Sequence, residues 1–160
     1  GADIITGGTG NDTITGGTGA DVLNYDAAFG ADTVTDFVAG ASGDVLDFQA
    51  WGSVTTAVTL GAVALTNNKI TVTTEDASND TAAEVDALFE ALTDATAVQA
   101  TVTYTNTYIA VDANNVGTVY GVSTADSSGN NGLAATVTEY GTIDLGSTLW
   151  TTLTTANFDM

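Results

Sequence analysis

The chain has 160 residues, the size of one domain or two small ones, and sets 20 acidic residues against a single basic one, Lys69, for a net charge of -19. That balance excludes nucleic acid as a partner, because phosphate binding runs on Lys and Arg, and it argues against docking on an anionic membrane. Cys and His are absent, which removes disulfides, zinc sites, haem ligation and every Ser-His-Asp or Cys-His relay, while 44% apolar residues are enough for a core.

The first 48 residues are built on glycine and aspartate. Half of the 16 Asp residues precede residue 48, and 10 of the 18 Gly precede residue 44. Two perfect tandem copies of G-G-x-G-x-D-x-U-x, with U a large apolar residue, run over Gly7–Thr15 and Gly16–Asn24. Gly1–Thr6 fits the last six positions of an earlier copy, and Gly30–Thr35 fits the same six after a two-residue insertion within Tyr25–Phe29. The chain therefore opens in the middle of a repeat, and residues upstream of Gly1 are expected; Gly1–Thr6 shows no signal-peptide pattern.

The spacing has a physical meaning. Glycines at three turn positions allow the positive-φ conformations that let several carbonyls converge, and the Asp adds charge to that ring of oxygens. All-oxygen ligation with flexible geometry suits calcium. The x-U-x triplets then form short strands with Ile5, Ile14, Leu23 and Val34 inward and Thr13, Thr15 and Thr33 outward. Without a cation, Asp3, Asp12, Asp21, Asp26, Asp32, Asp36, Asp44 and Asp47 repel one another, so binding free energy becomes folding free energy.

These residues closely resemble the repeats-in-toxin (RTX) calcium-binding nonapeptide family. The resemblance implies a parallel β-roll with two nonapeptides per coil, so that Asp12 faces Asp32, Asp21 faces Asp44, and Asp3 shares a site with Asp21. It implies a Ca2+ ligand set drawn from Gly7, Gly8, Thr9, Gly10, Gly16, Gly17, Thr18 and Gly19 with Asp3, Asp12, Asp21, Asp32, Asp36 and Asp44. Asp32–Phe37 and Gly43–Phe48 resemble the family's usual end of the roll. The last coil then has to be covered by Phe37, Phe48 and the residues after them, or pair with another chain.

Past Phe48 the glycine periodicity stops. Thr/Val-rich runs at 54–65, 70–74, 100–111, 116–122, 134–140 and 149–153 read as strands, with Ala113-Asn114-Asn115 as a hairpin turn. Thr81-Ala82-Ala83-Glu84 is a capping box, followed by a Val85, Leu88, Phe89, Leu92 stripe that predicts one helix with a core-facing side and with Asp86 and Glu90 solvated. Lys69 reads as a turn residue beside Asn67-Asn68, and Trp51 and Trp150 as core or rim anchors. Nothing pairs Asp112, Asp126, Glu139 and Asp144 for glycoside hydrolysis, so no catalytic residue is expected and the chain is read as not an enzyme.

The segments Asn106–Asp112, Ala135–Tyr140, Gly141–Leu145 and Leu153–Phe158 resemble the C-terminal region of type I-secreted bacterial proteins, in which separate strands precede a short tail. The resemblance implies export by an ABC transporter apparatus, an extracellular or cell-surface location, and possible self-association or contact with surface polysaccharide. The expected architecture is all-β: an RTX β-roll at 1–48 and a β-rich secretion and assembly region with one short helix at 49–160. Two functions fit, the calcium-binding C-terminal module of an S-layer or adhesin, or the same module trailing a secreted hydrolase or toxin. Composition favours the first.

Overall fold

The computed structural model describes residues 1–26, 28–48, 59–60, 69–74, 81–91, 103–126 and 133–159. Its N-terminal part is a parallel roll. Strands β1 (Ile4–Ile5), β3 (Val22–Asn24) and β5 (Val45–Asp47) form one wall, and β2 (Thr13–Ile14) and β4 (Gly30–Val34) the other. All pair in parallel, with Ile5 opposite Leu23, Leu23 opposite Leu46, and Thr13 opposite Thr33. Alternation within each triplet sends one residue inward: Ile14, Leu23, Val34 and Leu46 are buried, while Thr13 and Thr15 are exposed.

The rest of the chain extends this roll. Strand β6 (Thr59–Leu60), β7 (Lys69–Thr74), β8 (Thr103–Val111), β9 (Val116–Asp126) and β10 (Leu133–Asp144) continue the β2–β4 wall in the order β2-β4-β10-β9-β8-β7-β6. Strand β11 (Phe158–Asp159) adds to the other wall, with Phe158 opposite Leu46. The last coil is thus covered within the same chain, by β10 on one wall and β11 on the other. Phe37 and Phe48 are both buried beneath that cover.

Strand β10 makes the join. It runs antiparallel to β9 along its length, and the register shifts between Glu139 and Gly141. Beyond the shift, Gly141–Asp144 also lies parallel to Gly30–Thr33 of β4. The two separate strands expected at 134–140 and 141–145 are therefore one strand with a bulge, which turns it into the roll's plane. Gly141 has φ +156, and a β-carbon there would fall 2.2 Å from the Gly30 carbonyl oxygen, so only glycine lets the strands approach.

One core runs from the roll through this join. It unites Leu23, Tyr25, Phe29, Val34 and Phe48 with Ile109, Val119, Ile143, Trp150 and Phe158. A second cluster, Val85, Tyr108, Ala110, Tyr120 and Val122, lies where helix α1 (Ala82–Ala91) packs on β9 and β10. The helix starts as its capping box predicts: Glu84 Oε2 accepts from the Thr81 backbone N–H (3.0 Å), and the Glu84 N–H reaches Thr81 Oγ1 at 3.3 Å. Asp86, expected to be solvated, is partly exposed, with its Oδ1 buried and without a hydrogen-bond partner.

Further corrections concern the tail and one turn residue. Residues 149–153 are not a strand: Trp150–Thr152 is a single 3-10 turn, in which Leu149's carbonyl accepts from Thr152 Oγ1 and Trp150's ring is fully buried. Lys69 opens β7 instead of lying in a turn. Trp51, Asn67, Asn68 and Leu92 lie outside the described residues. The hairpin at Ala113–Asn115 forms as expected, with Asn115 at φ +65. Asp112 Oδ1 accepts from the Val116 and Asn114 N–H groups, both at 2.9 Å.

Asn157 closes the roll. It is fully buried; its Oδ1 accepts from Gly40 N–H (2.9 Å) and Thr154 N–H (3.0 Å), while its Nδ2 donates to the carbonyls of Asp44 (2.8 Å) and Gly40 (3.2 Å). An Asn157→Asp chain would aim a carboxylate oxygen at two carbonyls. We expect thermal unfolding in calcium to report a loss of about 2–4 kcal/mol for this variant, and an unchanged midpoint would refute the closing role. The Asp112 contacts give a pH prediction. The Val116 N–H, more than the Asn114 contacts, holds the Asp112 carboxyl below its ordinary range against a smaller opposing effect of burial. Its contribution is present above the ordinary carboxylate range and is lost as pH falls through the lowered value. Midpoints of wild type and Asp112→Asn should differ at neutral pH and converge in acid.

Candidate metal centre

The roll's turns stack into two columns, one on each edge. In the first, the Asp3 N–H donates to Asp21 Oδ1 (2.8 Å) and the Asp21 N–H to Asp44 Oδ1 (2.9 Å). In the second, the Asp12 N–H donates to Asp32 Oδ1 (2.9 Å). Each ladder therefore brings together the aspartates one coil apart that the repeat spacing pairs. On Asp21 and Asp32 one carboxylate oxygen fixes the register between coils, and the second is left over.

The leftover oxygens set the chemistry. Oδ2 of Asp12, Asp21 and Asp32 is buried with no hydrogen-bond partner. Asp21 is fully buried and Asp32 is 2% exposed. A buried ionised oxygen without a partner is strongly unfavourable, and the usual remedies are a cation or a proton. Burial pushes the Asp32 carboxyl above its ordinary range; the Asp12 N–H opposes that shift, and the Asp12 carboxylate adds to it. Such a group gains most from a positive charge placed beside it.

The glycines make the space. A β-carbon on Gly16 would fall 2.5 Å from Asp21 Oδ2, and one on Gly7 would fall 3.0 Å from Asp12 Oδ2. The first glycine of each repeat thus cradles the free oxygen of the aspartate that closes the same turn. The second glycines, Gly8 (φ +91) and Gly17 (φ +90), take the left-handed conformation that turns the chain there. A hard cation held by carboxylate and carbonyl oxygens fits this set. Among the described residues no three acidic side chains converge, so carboxylate charge comes in pairs at most and the remaining ligands have to be neutral oxygens.

The other expected ligands divide. Thr9 and Thr18, with Gly10 and Gly19, lie in the exposed turns beside the cradles. Asp3 lies at the exposed end of the first column. Asp36 uses both oxygens on backbone, accepting from Gly16 N–H (2.9 Å) and Gly17 N–H (2.8 Å). Asp44 is similar: Oδ1 takes the Asp21 N–H and Oδ2 takes the Val38 N–H at 2.8 Å. These two carboxylates hold the turns that carry the cradles.

Three participants escaped the repeat pattern. Tyr25 is 2% exposed and its hydroxyl has no partner. Ile143 stands opposite Asp32 in the sheet, where a further repeat would place its aspartate, so the second column ends on an apolar residue. Asn157 ends the first. The spacing of Gly10 to Ile14, Gly30 to Val34 and Gly141 to Leu145 is the same, and that signal could have placed 141–145 as another coil wall.

The cradles yield a graded prediction. Gly16→Ala should weaken calcium binding about tenfold or more, because the new methyl displaces Asp21 Oδ2, and Gly7→Ala should weaken it less. Calorimetric titration of both variants checks the order, and equal affinities would refute the cradle.

Comparison with curated proteins finds no match to this chain. Residues 1–34 match the family model of the RTX calcium-binding nonapeptide repeat, four copies. The match spans Asp3, Asp12, Asp21 and Asp32, hence every buried oxygen without a partner in the two columns. Residues 1–34, the first four strands of the roll, thus carry RTX calcium-binding nonapeptide repeats, and such repeats bind Ca2+.

Proposed function

We propose that this chain is the calcium-binding C-terminal module of an extracellular bacterial surface protein of S-layer or adhesin type, with no catalytic residue of its own. The observation that carries the calcium step is the set of buried, unpartnered oxygens on Asp12, Asp21 and Asp32. In calcium-poor cytosol these carboxylates oppose closure of the roll, and the chain stays open for export through a type I apparatus. Bound calcium supplies the positive charge that closed coils require. Asp36, Asp44 and Asn157 then hold the turns and the last coil in place.

The surface-protein reading rests on composition. A chain of 160 residues with one Lys, no Arg and 31 Thr suits a calcium-bridged, acidic lattice better than a soluble enzyme's accessory part. Sedimentation velocity in chelator and in millimolar calcium tests both levels. We expect a slow, extended species in chelator that compacts with calcium, gaining about 2.7 kcal/mol of stability per site at a hundredfold excess over Kd. Assembly of the compact form supports the lattice. A compact monomer at all concentrations would favour a module trailing a secreted hydrolase or toxin, and no response to calcium would refute the whole reading.

A further inference from the structure

Two irregularities of the fold meet at one place on the surface. In β10 the register against β9 passes from Glu139 opposite Tyr120 to Gly141 opposite Val119, so Tyr140 is the extra residue of the bulge. The Tyr140 carbonyl accepts from the Phe29 N–H at 2.9 Å, at the end of the inserted turn 25–29. The Phe29 carbonyl in turn accepts from the Gly10 N–H at 3.0 Å. A bulge breaks the alternation of a strand and re-aims its side chains. Here consecutive residues, Glu139 and Tyr140, line the same groove.

That groove holds about 460 Å³, a volume suited to a small ligand or one unit of a longer one. Glu139, Tyr140 and Thr142 of β10 form one side, and Gly10, Asn11 and Ala31 of two successive coils form the other. Its polar groups are held in place. Asn11 Oδ1 accepts from the Ala31 N–H at 3.1 Å, which fixes the amide plane and leaves the Nδ2 hydrogens for a ligand. A β-carbon on Gly121 would fall 2.5 Å from the Tyr140 hydroxyl oxygen, so the ring covers that glycine and only glycine admits it. Glu139 and Asn11 are both exposed.

The lining selects among ligands. It contains one carboxylate and no basic side chain, in a chain of net charge -19, so phosphate, sulfate and carboxylate groups are repelled. A wholly apolar ligand would desolvate Glu139 without compensation. A peptide strand would need an open edge, and β4 beside the groove is already paired on both sides, by β2 and β10. A neutral sugar meets every demand. Its C–H face packs on the Tyr140 ring and Ala31, while its hydroxyls donate to Glu139 and accept from Asn11.

We propose that this groove is a binding site for a neutral saccharide, with Tyr140 as its platform, Glu139 as acceptor and Asn11 Nδ2 as donor. The site rests on the calcium reading above in one respect: its walls come from different coils and from β10, which come together only when the roll is wound.

The full chain, labelled and applied in millimolar calcium to a printed array of neutral and acidic oligosaccharides, tests this. Retention on neutral sugars, none on sulfated or carboxylated ones, and loss of the signal in chelator are expected. The retained sugar is then titrated against two variants. Glu139→Ala should weaken it about tenfold, the loss of one charge-assisted hydrogen bond. Ala31→Trp, at an exposed position of β4, should fill the groove and abolish binding. Both variants should keep wild-type calcium titrations and wild-type compaction in sedimentation. A silent array, binding only to acidic sugars, or wild-type sugar affinity in both variants would overturn the saccharide site while leaving calcium binding standing. Absence of calcium heat and of compaction in the wild type would instead overturn the calcium reading itself.

Discussion

Buried carboxylate oxygens govern this structure. In each turn column an aspartate spends one oxygen on the backbone of the preceding coil, which sets the stacking distance and register. The same act pins the second oxygen of Asp21 and Asp32 in the interior, where no donor waits, and Asp12 Oδ2 is likewise buried without a partner. Stacking and charge burial are thus one event. A chain organised this way has to couple coil formation to a cation, because every coil added places another charge inside.

The roll also has to end, and it ends by changing residue type. Ile143 stands where the second column would place its next aspartate, and Asn157 closes the first with five side-chain hydrogen bonds and no charge. Both come from more than 90 residues beyond the last repeat, and they arrive on strands that pair with the final coil. Covering β4 with β10 and β5 with β11 removes the open edges that would otherwise template pairing with another chain. Strand β10 is shared between the roll wall and the antiparallel sheet, so the register of the C-terminal strands and the stacking of the calcium turns are mechanically joined. Calcium at the turns therefore acts on a sheet that extends well beyond the repeats.

Much of this was legible in the residues. The nonapeptide spacing placed the inward Ile14, Leu23 and Val34, the aspartate pairs one coil apart, and the calcium chemistry, because a repeat of fixed length wound on a coil of fixed length leaves one way to stack. The capping box at Thr81–Glu84 was equally local and formed as written. The expected strand at 149–153 failed for the opposite reason: Thr and Leu suit a strand, but the backbone N–H of Trp150 bonds Asn115 Oδ1 (3.0 Å) and its ring lies over Gly117. A contact 35 residues away outweighed β-propensity.

Sequence alone determined the roll, its calcium chemistry and the aspartate pairs one coil apart, since those follow from short-range spacing and from the absence of any His or Cys. Tertiary structure decided which carboxylate oxygens remain free and that Asp36 and Asp44 serve backbone donors. It also decided that a single bulged strand would close the roll instead of two separate ones. The reason is physical: turn chemistry is carried by residues a few positions apart, whereas the satisfaction of a buried oxygen depends on whichever distant segment comes to lie against it.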